Sequence, residues 1–377
     1  RYHPWVFSGA IKKIYGQAVE GELVDVYNNK DEFLATGHYQ ESSIAVRVIS
    51  FQQQEIDDYF WKQRIERAYR LRETAGLIRN PDTNVYRLVN AEGDMMPGLI
   101  VDYYNGTAVM QMHSAGMYKI RNVLVAAFKE VLKEDLQCIY NKSEATLPFK
   151  SDVRGADEYL LGKPASREVT ENGKKFVIDW EKGQKTGFFI DQRENRKLLE
   201  QYCRSRNVLN MFCYTGGFSV YAINGGANEV HSVDSSARAI DLTNENIRLN
   251  FDASENHSSF ATDAFKFFNT SKTKYDLMIL DPPAFAKHHN VLNNALQGYK
   301  KLNRRAFELI NPGGIIFTFS CSQVVSRENF KKSVFVAAAN TGRNVRILHH
   351  LTQPVDHPVN IYHPEGEYLK GLVLQVD

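Results

Sequence analysis

The second half of the sequence alternates short apolar segments with longer helical patterns. The apolar segments are strand candidates at 208–212, 229–234, 259–263, 275–281, 315–321, 345–351 and 371–376. Helical spacing of apolar residues separates most of them, for example over 236–249 and 292–310. This alternation predicts an α/β fold with a doubly wound, mainly parallel sheet. Ligands of such sheets bind at the carboxyl ends of the strands, near the point where the strand order reverses.

Two smaller parts precede this sheet, as expected for a chain of 377 residues, which is long for a single core. Residues 1–71 contain β-rich runs at 22–27, 33–37 and 44–49 between Gly and Asn turns, which predicts a small β-rich domain. A charged connecting helix is predicted over 56–77. Residues 72–180 predict a small α+β central domain, and residues 181–377 hold the doubly wound sheet. The elements predicted for the central domain are strands at 86–89, 99–103, 107–112 and 138–140, a helix at 117–133, and a hairpin turning at the Asn-Gly pair 172–173.

Composition narrows the class of protein without identifying its function. No segment approaches the roughly 20 apolar residues of a membrane span, so we expect no membrane partner. The four cysteines lack zinc-type spacing, which favours free thiols and a cytoplasmic protein. These cysteines are Cys138, Cys203, Cys213 and Cys321. A net charge of +2 is too weak to identify a polyanion partner, so any charge that binds RNA must be local. The sequence leaves the oligomeric state open, a homodimer included.

Glycine and aspartate residues follow four successive strands of the predicted sheet. A Gly-Gly pair at 216–217 lets the backbone pass close to a ligand before a helix begins near residue 218. Asp234, at the end of the second strand, is placed to accept the two hydroxyls of an adenosine ribose. An Asp-Ala pair at 263–264 ends the third strand, where it would meet the adenine amino group, and Asp281 ends the fourth. Each signal alone is weak, because a strand-end Asp is often only a helix cap. Together they predict an adenosyl cofactor.

Three longer motifs occupy the same half of the chain. They are Gln-Lys-Thr-Gly-Phe-Phe-Ile-Asp-Gln-Arg at 184–193, Phe-Cys-Tyr-Thr-Gly-Gly-Phe at 212–218 and Asp-Pro-Pro-Ala-Phe at 281–285. Together they resemble the bacterial 23S rRNA cytosine-5 methyltransferase family. The opening segment His-Pro-Trp-Val-Phe-Ser-Gly-Ala-Ile at 3–11 resembles the start of that family's PUA domain, so the resemblance spans essentially the whole chain.

The resemblance implies a fold, a cofactor, a substrate and a set of site residues. The fold would be a PUA-like RNA-binding domain, a small central domain and a class I methyltransferase domain with a Rossmann-like sheet. The cofactor would be S-adenosyl-L-methionine, and the partner would be large-subunit ribosomal RNA, free or partly assembled. The residues expected at the cofactor are Phe188, Asp191, Arg193, Phe212, Tyr214, Thr215, Gly216, Gly217, Asp234, Ser235, Asp263, Ala264 and Asp281. An alternative interpretation of 185–190 is a buried strand with a Gly bulge.

Cytosine chemistry suggests roles for two further groups. Carbon 5 is too weak a nucleophile to attack a methyl sulfonium unaided, but a thiolate added at carbon 6 makes an enamine that can. Cys321 ends the fifth strand, and the resemblance implies that this Ser-Cys-Ser position carries the nucleophile; a buried structural thiol is the alternative. Asp281 is expected at the N3 edge, where it would stabilise charge on the ring. Cys213 is interpreted as structural. Pro283 and Ala284 stand where many related enzymes have a second cysteine, so the proton-abstracting base is not identified.

Basic residues surround the segment that follows the fourth strand. The cluster consists of Lys287, Lys300, Lys301, Arg304 and Arg305. It predicts contacts with RNA phosphates, with a solvated helix face as the alternative. Phe285 is placed to stack on a flipped base. The N-terminal β-rich domain is the better argument for RNA, because a small-molecule methyltransferase has little need of it. The chemistry needs no metal, so we predict none.

Three other functions remain open on the sequence alone. A guanine-N7 or other base methyltransferase on the same fold would not require Cys321. A non-catalytic RNA-binding assembly factor would keep the fold but bind no cofactor. A nicotinamide dehydrogenase is disfavoured, because the loop after the first strand lacks the GxGxxG pattern.

Overall fold

A computed structural model gives the fold of residues 2–148, 154–252, 256–286 and 288–377. The chain forms two compact units. The first consists of Arg1–Gly173, Ile178–Ile190 and Val355–Gly366, and the second of Lys174–Val177, Asp191–Pro354 and Glu367–Asp377. Whether the first unit holds two domains, as the sequence predicts, stays a prediction. No helix among the described residues is long and apolar enough to cross a membrane.

An antiparallel sheet forms the N-terminal part of the first unit. Its strands are β1 (Trp5–Phe7), β2 (Leu23–Tyr27), β3 (Phe33–Tyr39) and β4 (Ile44–Ser50), in the order β1-β4-β3-β2. Val48 and Ile49 of the central strand β4 are fully buried. The predicted β-rich fold of this segment is confirmed, with the addition of β1, which is too short to show a pattern of its own.

Helix α1 (Asp58–Thr74) follows this sheet and begins at a side-chain cap, because Asp57 accepts a hydrogen bond from the Phe60 N–H at 2.8 Å. The helix is predicted as a charged connecting helix, but one of its faces lies in the core. The buried residues on that face are Phe60, Trp61, Ile65, Ala68 and Arg72. The prediction of a mainly exposed helix was wrong because the sequence pattern is dominated by arginines. One of these arginines, Arg72, lies in the interior.

A second, mixed sheet completes the first unit. Its strands are β5 (Val85–Asn90), β6 (Leu99–Tyr104), β7 (Thr107–Met112), β8 (Cys138–Lys142) and β9 (Asp157–Leu161), paired in that order. The predicted helix divides at Ile120 into α2 (Ala115–Lys119) and α3 (Arg121–Leu132). Strand β9 is not anticipated, because its residues are mostly exposed and show no apolar alternation. Strand β10 (Glu168–Glu171) leads to Asn172 and Gly173, whose positive φ angles of 48° and 77° fit the predicted turn.

A buried ionic network joins distant segments of the first unit. The Arg72 guanidinium is 0% exposed and forms a bidentate pair with Asp94, at 2.6 and 2.8 Å. It also donates to the Arg87 carbonyl and to the Asp356 carbonyl, each at 2.7 Å. Arg87 in turn pairs with buried Asp102. A buried charge of this kind is tolerated because several acceptors satisfy it.

The second unit begins with β11 (Lys174–Val177) and is built around a seven-stranded sheet. The strands of this sheet are β12 (Asn207–Met211), β13 (Glu229–Asp234), β14 (His257–Ala261), β15 (Tyr275–Leu280), β16 (Ile310–Ser320), β17 (Val345–Leu351) and β18 (Lys370–Val376). Their order is β14-β13-β12-β15-β16-β18-β17, and β18 runs antiparallel to the other six strands. The predicted doubly wound, mainly parallel sheet is confirmed. Its strand order reverses between β12 and β15, so this is the expected binding edge.

Helices cover the sheet of the second unit. They are α4 (Arg193–Glu200), α5 (Gly217–Asn224), α6 (Ala237–Asn250), α7 (Ala264–Thr270), α8 (Leu292–Leu309) and α9 (Arg327–Thr341). Helix α4 is not anticipated, because its buried face is mainly polar: Arg193, Asn195 and Arg196 are buried with Leu199. The alternative strand at 185–190 does not form; turns occupy the segment, with φ of 107° at Gly187.

Arg72→Ala should destabilise the first unit by about 3–5 kcal/mol, because Asp94 would remain as an unpaired buried charge. The three tryptophans of the chain all belong to this unit, so their fluorescence during urea unfolding reports on it. Arg70→Ala, which removes an exposed arginine from the same helix, should change the free energy of unfolding by less than about 0.5 kcal/mol. Equal effects of the two substitutions would contradict the role given to Arg72.

Candidate active site

The candidate active site lies where parallel strands of the second unit end side by side. Strand β12 pairs with β13 on one side and with β15 on the other, and β16 continues the parallel run beside β15. Met211 lies opposite Leu280, and Leu280 lies opposite Thr318. The residues that follow these strands therefore share one edge of the sheet, as the sequence predicts.

The loop after β12 has a backbone conformation that side chains rarely adopt. The φ angle is 60° at Phe212, 48° at Tyr214 and 75° at Gly216, all in the left-handed region. A Cβ atom on Gly216 would lie 2.7 Å from the Thr243 side chain, so glycine is required there. Gly217 then begins α5. A tight turn of this kind lets backbone approach a ligand closely.

Helix α6 holds this loop through its side chains. Thr243 Oγ1 donates to the Tyr214 carbonyl at 2.9 Å, and Asn246 Nδ2 donates to the Thr215 carbonyl at 2.8 Å. Thr215 is buried, so its carbonyl needs such a partner. The shape of the loop is therefore fixed before any ligand binds.

Asp234 is the last residue of β13 and accepts two backbone hydrogen bonds. Its Oδ2 accepts from the Tyr214 N–H at 3.0 Å, and its Oδ1 accepts from the Ser236 N–H at 2.9 Å. Exposed Ser235 lies between the strand and this contact. Each carboxylate oxygen has two lone pairs. Asp234 can therefore hold the glycine loop and still accept the ribose hydroxyls of an adenosyl group.

Asp263 has a local role that the sequence offered only as the alternative. Strand β14 ends at Ala261, so the Asp-Ala pair does not end the strand. The Asp263 Oδ1 atom accepts from the Phe265 and Lys266 N–H groups and caps α7, whose first residue is Ala264. The capping carboxylate is exposed, and its contact with adenine stays a prediction.

The 184–193 motif contributes residues to both compact units. Phe188 is buried in the first unit, and its place in the cofactor pocket stays a prediction. Asp191 and Arg193 belong to the second unit and are buried there. Asp191 Oδ2 accepts a hydrogen bond from the Tyr368 hydroxyl at 2.7 Å, and Arg193 begins α4.

Asp281 and Cys321 follow the ends of neighbouring strands. Asp281 follows β15, and its Oδ2 accepts from Gln192 Nε2 at 2.9 Å. Cys321 follows β16, and its Sγ lies 3.9 Å from the Pro282 carbonyl oxygen. The thiol therefore touches the Asp-Pro-Pro loop, as expected. Gln192 lies inside the quoted motif but is missed as a site residue, because an amide gives no sign of its partner in sequence.

A buried hydroxyl network fixes the backbone on both sides of Cys321. Ser320 Oγ donates to the Tyr299 hydroxyl at 2.9 Å, and that hydroxyl lies 3.1 Å from Ser322 Oγ. Ser322 Oγ also accepts from the Ala286 N–H at 3.3 Å, in the loop after β15. Tyr299 is missed by sequence reasoning, because a tyrosine on the apolar face of α8 is typical of core packing.

Lys370, the first residue of β18, is a third group that the sequence does not reveal. It lies opposite Ser320 in the antiparallel pairing and is only 3% exposed. Its Nζ donates to the Ser322 carbonyl at 2.7 Å. Burial lowers the pKa of Lys370 to about 8, while the neighbouring Cys321 thiol acts to raise it. The only signal in the sequence is a lysine at the start of an otherwise apolar strand.

The other cysteines are poor candidates for a nucleophile. Burial raises the pKa of Cys138 to about 11 and that of Cys203 to about 12, and it raises the pKa of Cys213 further still. Cys321 alone among the four is partly exposed, and all four are free thiols. Because only a thiolate attacks readily, Cys321 is the thiol best suited to chemistry.

Several of the predicted RNA-binding residues already contact other side chains of the protein. Arg304 and Arg305 both pair with Glu308 on the same helix, and the Lys301 ammonium lies 4.6 Å above the Phe265 ring. Half-buried Lys300 precedes them. Their contact with RNA stays a prediction, and Lys287 lies outside the described residues.

Phe285, in the loop after β15, is partly buried. Its ring centroid lies 4.7 Å from that of Tyr299, and a Cβ atom on Gly298 would lie 2.9 Å from the Phe285 ring. Close packing on α8 therefore fixes the ring. Stacking of Phe285 on a flipped base stays a prediction.

Family comparisons define the class of protein. A model of the S-adenosylmethionine-dependent methyltransferase family matches residues 138–359. A model of a PUA-like domain matches residues 1–51. The class is therefore that of S-adenosylmethionine-dependent methyltransferases that carry a PUA-like domain, and the cofactor is S-adenosylmethionine. The steric demand for Gly216 and the two oxygens of Asp234 fit such a cofactor at the end of β12 and β13.

Comparison with individual proteins identifies the family within this class. A Tolumonas auensis protein named ribosomal RNA large subunit methyltransferase I is 40% identical over 100% of this chain and 96% of its own length. A methyltransferase solved with S-adenosylhomocysteine has a TM-score of 0.87 and 26% identity, over 100% and 96% of the two chains. A Streptococcus mutans S-adenosylmethionine-dependent methyltransferase has a TM-score of 0.85 and 25% identity, over 99% and 95%. The chain belongs to the family of the ribosomal RNA large subunit methyltransferase I proteins.

Asp234→Ala should weaken S-adenosylmethionine binding by about 1–3 kcal/mol, because the ribose hydroxyls would lose a charged acceptor. Titration calorimetry on the folded variant measures this change. Asp241→Ala removes an exposed carboxylate from α6 and should bind like the wild type. Unchanged affinity of Asp234→Ala would remove the ribose assignment.

Proposed function

We propose that this protein forms 5-methylcytosine in large-subunit ribosomal RNA through a covalent adduct with Cys321. The observation that carries the proposal is the partly exposed Cys321 thiol against the Asp-Pro-Pro loop, 3.9 Å from the Pro282 carbonyl. The name of the Tolumonas auensis relative supports the ribosomal RNA substrate. The PUA-like match at residues 1–51 supports an RNA partner as well.

The cofactor site of the proposal consists of the glycine loop and the acids beside it. S-adenosylmethionine, when bound, supplies the methyl group. Asp234 would hold the ribose hydroxyls, and Gly216 would let the loop backbone approach the ligand closely. The strained loop is held by α6 in advance, so little of the binding free energy would be lost in ordering it.

Cys321 is the nucleophile of the proposed reaction on the base. Its thiolate adds to carbon 6 of cytosine, and the electron pair of the 5,6 double bond moves to carbon 5. Carbon 5 would then accept the methyl group that S-adenosylmethionine, held at Asp234 and the glycine loop, supplies. Loss of the carbon 5 proton to a base then restores the double bond and expels the thiolate. Asp281, held by Gln192, is assigned to the N3 edge, where its carboxyl group stabilises ring charge.

Lys370 is the group that would keep Cys321 reactive. With a pKa of about 8, its side chain is mostly an ammonium at neutral pH. A cation close to a thiol favours the thiolate. The other charged neighbours are Arg327, which lowers the pKa of Lys370, and Glu367, which raises it. Above about pH 8 Lys370 loses its proton, so its support for the thiolate is present below that pH and fades above it.

Cys321→Ala should abolish methyl transfer to the RNA while leaving the affinity for S-adenosylmethionine nearly unchanged, because the thiol acts on the base. RNA with 5-fluorocytosine at the target should trap the wild-type enzyme covalently, because fluorine cannot leave as a proton does. Mass spectrometry of the RNA–protein adduct and of methylated nucleosides measures both effects.

The matched control for this experiment is Cys213→Ala, which removes a buried thiol and should still form the adduct. Methylation by Cys321→Ala at the wild-type rate would overturn the nucleophile assignment. Guanine-N7 would then be the better target, because that nitrogen carries a lone pair that attacks a methyl group unaided.

Lys370→Gln should slow alkylation of Cys321 by iodoacetamide about tenfold at pH 7, because the thiolate fraction falls when the cation is removed. The difference from the wild type should shrink above about pH 8, where Lys370 is itself neutral. Peptide mass spectrometry follows Cys321 separately from the three buried cysteines.

Lys370→Arg is the conservative control for this measurement. It keeps a cation beside the thiol and should restore alkylation toward the wild-type rate at pH 7. An equal loss in both variants would point to a packing role for Lys370, and an unchanged rate in Lys370→Gln would remove it from the proposal.

A further inference from the structure

The first compact unit contains a cavity of about 550 Å³. It is bounded by residues that follow β4, by one face of α1 and by the segment 355–366 of the same unit. Cavities of roughly 300–1,000 Å³ are the size that takes a small organic group. The catalytic proposal uses none of the residues that line this cavity.

Exposed aromatic rings form part of the cavity lining. Tyr2 is 55% exposed and Tyr362 is 51% exposed, and their ring centroids lie 5.3 Å apart. The Phe51 ring meets Tyr2 edge-on at 5.3 Å. Exposed rings of this kind keep free faces in solvent, where the flat surface of a nucleobase can stack.

Two arginines one helical turn apart give the cavity a positive charge. The Arg64 guanidinium lies over the Phe60 ring at 4.9 Å and donates to the Ile49 carbonyl at 3.0 Å, so its position is fixed. Burial, and then the charge of Arg67, lower the pKa of Arg64 to about 10, which leaves it charged at neutral pH. Arg67 is exposed and makes no ion pair within the described part of the chain.

Apart from the aromatic rings, Met95 and the two arginines, the lining is polar and uncharged. Among the described residues that line the cavity there is no aspartate or glutamate to neutralise the arginines. Amide side chains line it instead, from Gln52, Gln54, Gln63 and Asn360. An amide offers both donors and acceptors, the combination that base edges require. Two arginines with no acidic residue beside them in the lining, together with aromatic rings and amides, suit the phosphates and the base of a nucleotide.

We infer that this cavity binds a nucleotide of single-stranded RNA, with the base on the Tyr2 and Tyr362 rings and the phosphates on Arg64 and Arg67. The inference rests on the RNA substrate of the proposed function and adds an RNA contact outside the catalytic site. It gives the first unit a defined binding role, which is to hold unpaired RNA through stacking and charge.

Fluorescence anisotropy with the full-length protein tests this site, using a labelled single-stranded RNA of about a dozen nucleotides. Tyr362→Ala should weaken RNA binding about fivefold or more, because a stacked base is lost. Arg67→Gln should weaken binding and reduce the salt dependence of the affinity by about one unit of slope. Both side chains are exposed, so neither change should disturb the fold.

Two residues of α1 that do not line the cavity provide the matched controls. Tyr59, which is 63% exposed, and exposed Arg70 do not line it. Tyr59→Ala and Arg70→Gln should therefore bind RNA like the wild type. RNA that carries 4-thiouridine should also form photo-crosslinks to the peptides that contain Tyr2 or Tyr362.

Wild-type affinity in both cavity variants, or crosslinks confined to other peptides, would overturn the inference. An equal loss in cavity and control variants would also overturn it, because binding would then follow general charge. The proposed function fails separately: a protein that binds RNA through the cavity but forms no 5-methylcytosine would reject the catalytic proposal alone.

Discussion

The in-register parallel pairing of β12, β15 and β16 is the constraint on which the candidate active site depends. It brings the glycine loop, the Asp-Pro-Pro loop and Cys321 to one edge, although they are far apart in sequence. The antiparallel strand β18 then adds Lys370 directly opposite Ser320. No loop has to reach across the sheet, because each chemical group is the first or last residue of a strand or lies just beyond one. The sheet therefore sets the positions from which these groups reach the site.

The sequence predicts those parts of the fold that leave an apolar pattern. The strands of the second unit and the strand-end residues Asp234 and Cys321 are found where expected, because buried parallel strands read as apolar runs. Helix α4 and strand β9 were not predicted from the sequence, because the helix buries arginine and asparagine side chains and the strand is exposed. Contacts between side chains far apart in the sequence could not be predicted, because they depend on the folded structure. The sequence does not indicate that Lys370 is buried, or that Gln192 donates a hydrogen bond to Asp281.

Two buried cations show how burial can serve stability or chemistry. Arg72 is surrounded by acceptors that include both oxygens of Asp94, so its charge is neutralised and its function is to join segments. Lys370 instead donates to a neutral carbonyl, and burial lowers its pKa to about 8. A cation that is costly to bury and only partly compensated is available to stabilise a developing anion. The difference between the two lies in the charge of the acceptors, which the fold supplies.

The buried Arg72 network also has a consequence for how the chain is made. Arg72 and Arg87 both contact Asp356, which belongs to the first unit but is synthesised after nearly the whole second unit. At about 5–20 residues per second, the ribosome needs roughly ten to thirty seconds to add residues 191–354. During that interval the nascent first unit holds an arginine without one of its acceptors, so its folding cannot finish in the order of synthesis. The first unit therefore reaches its full stability only after the segment that contains Asp356 has been synthesised, and not when residues 1–190 leave the ribosome.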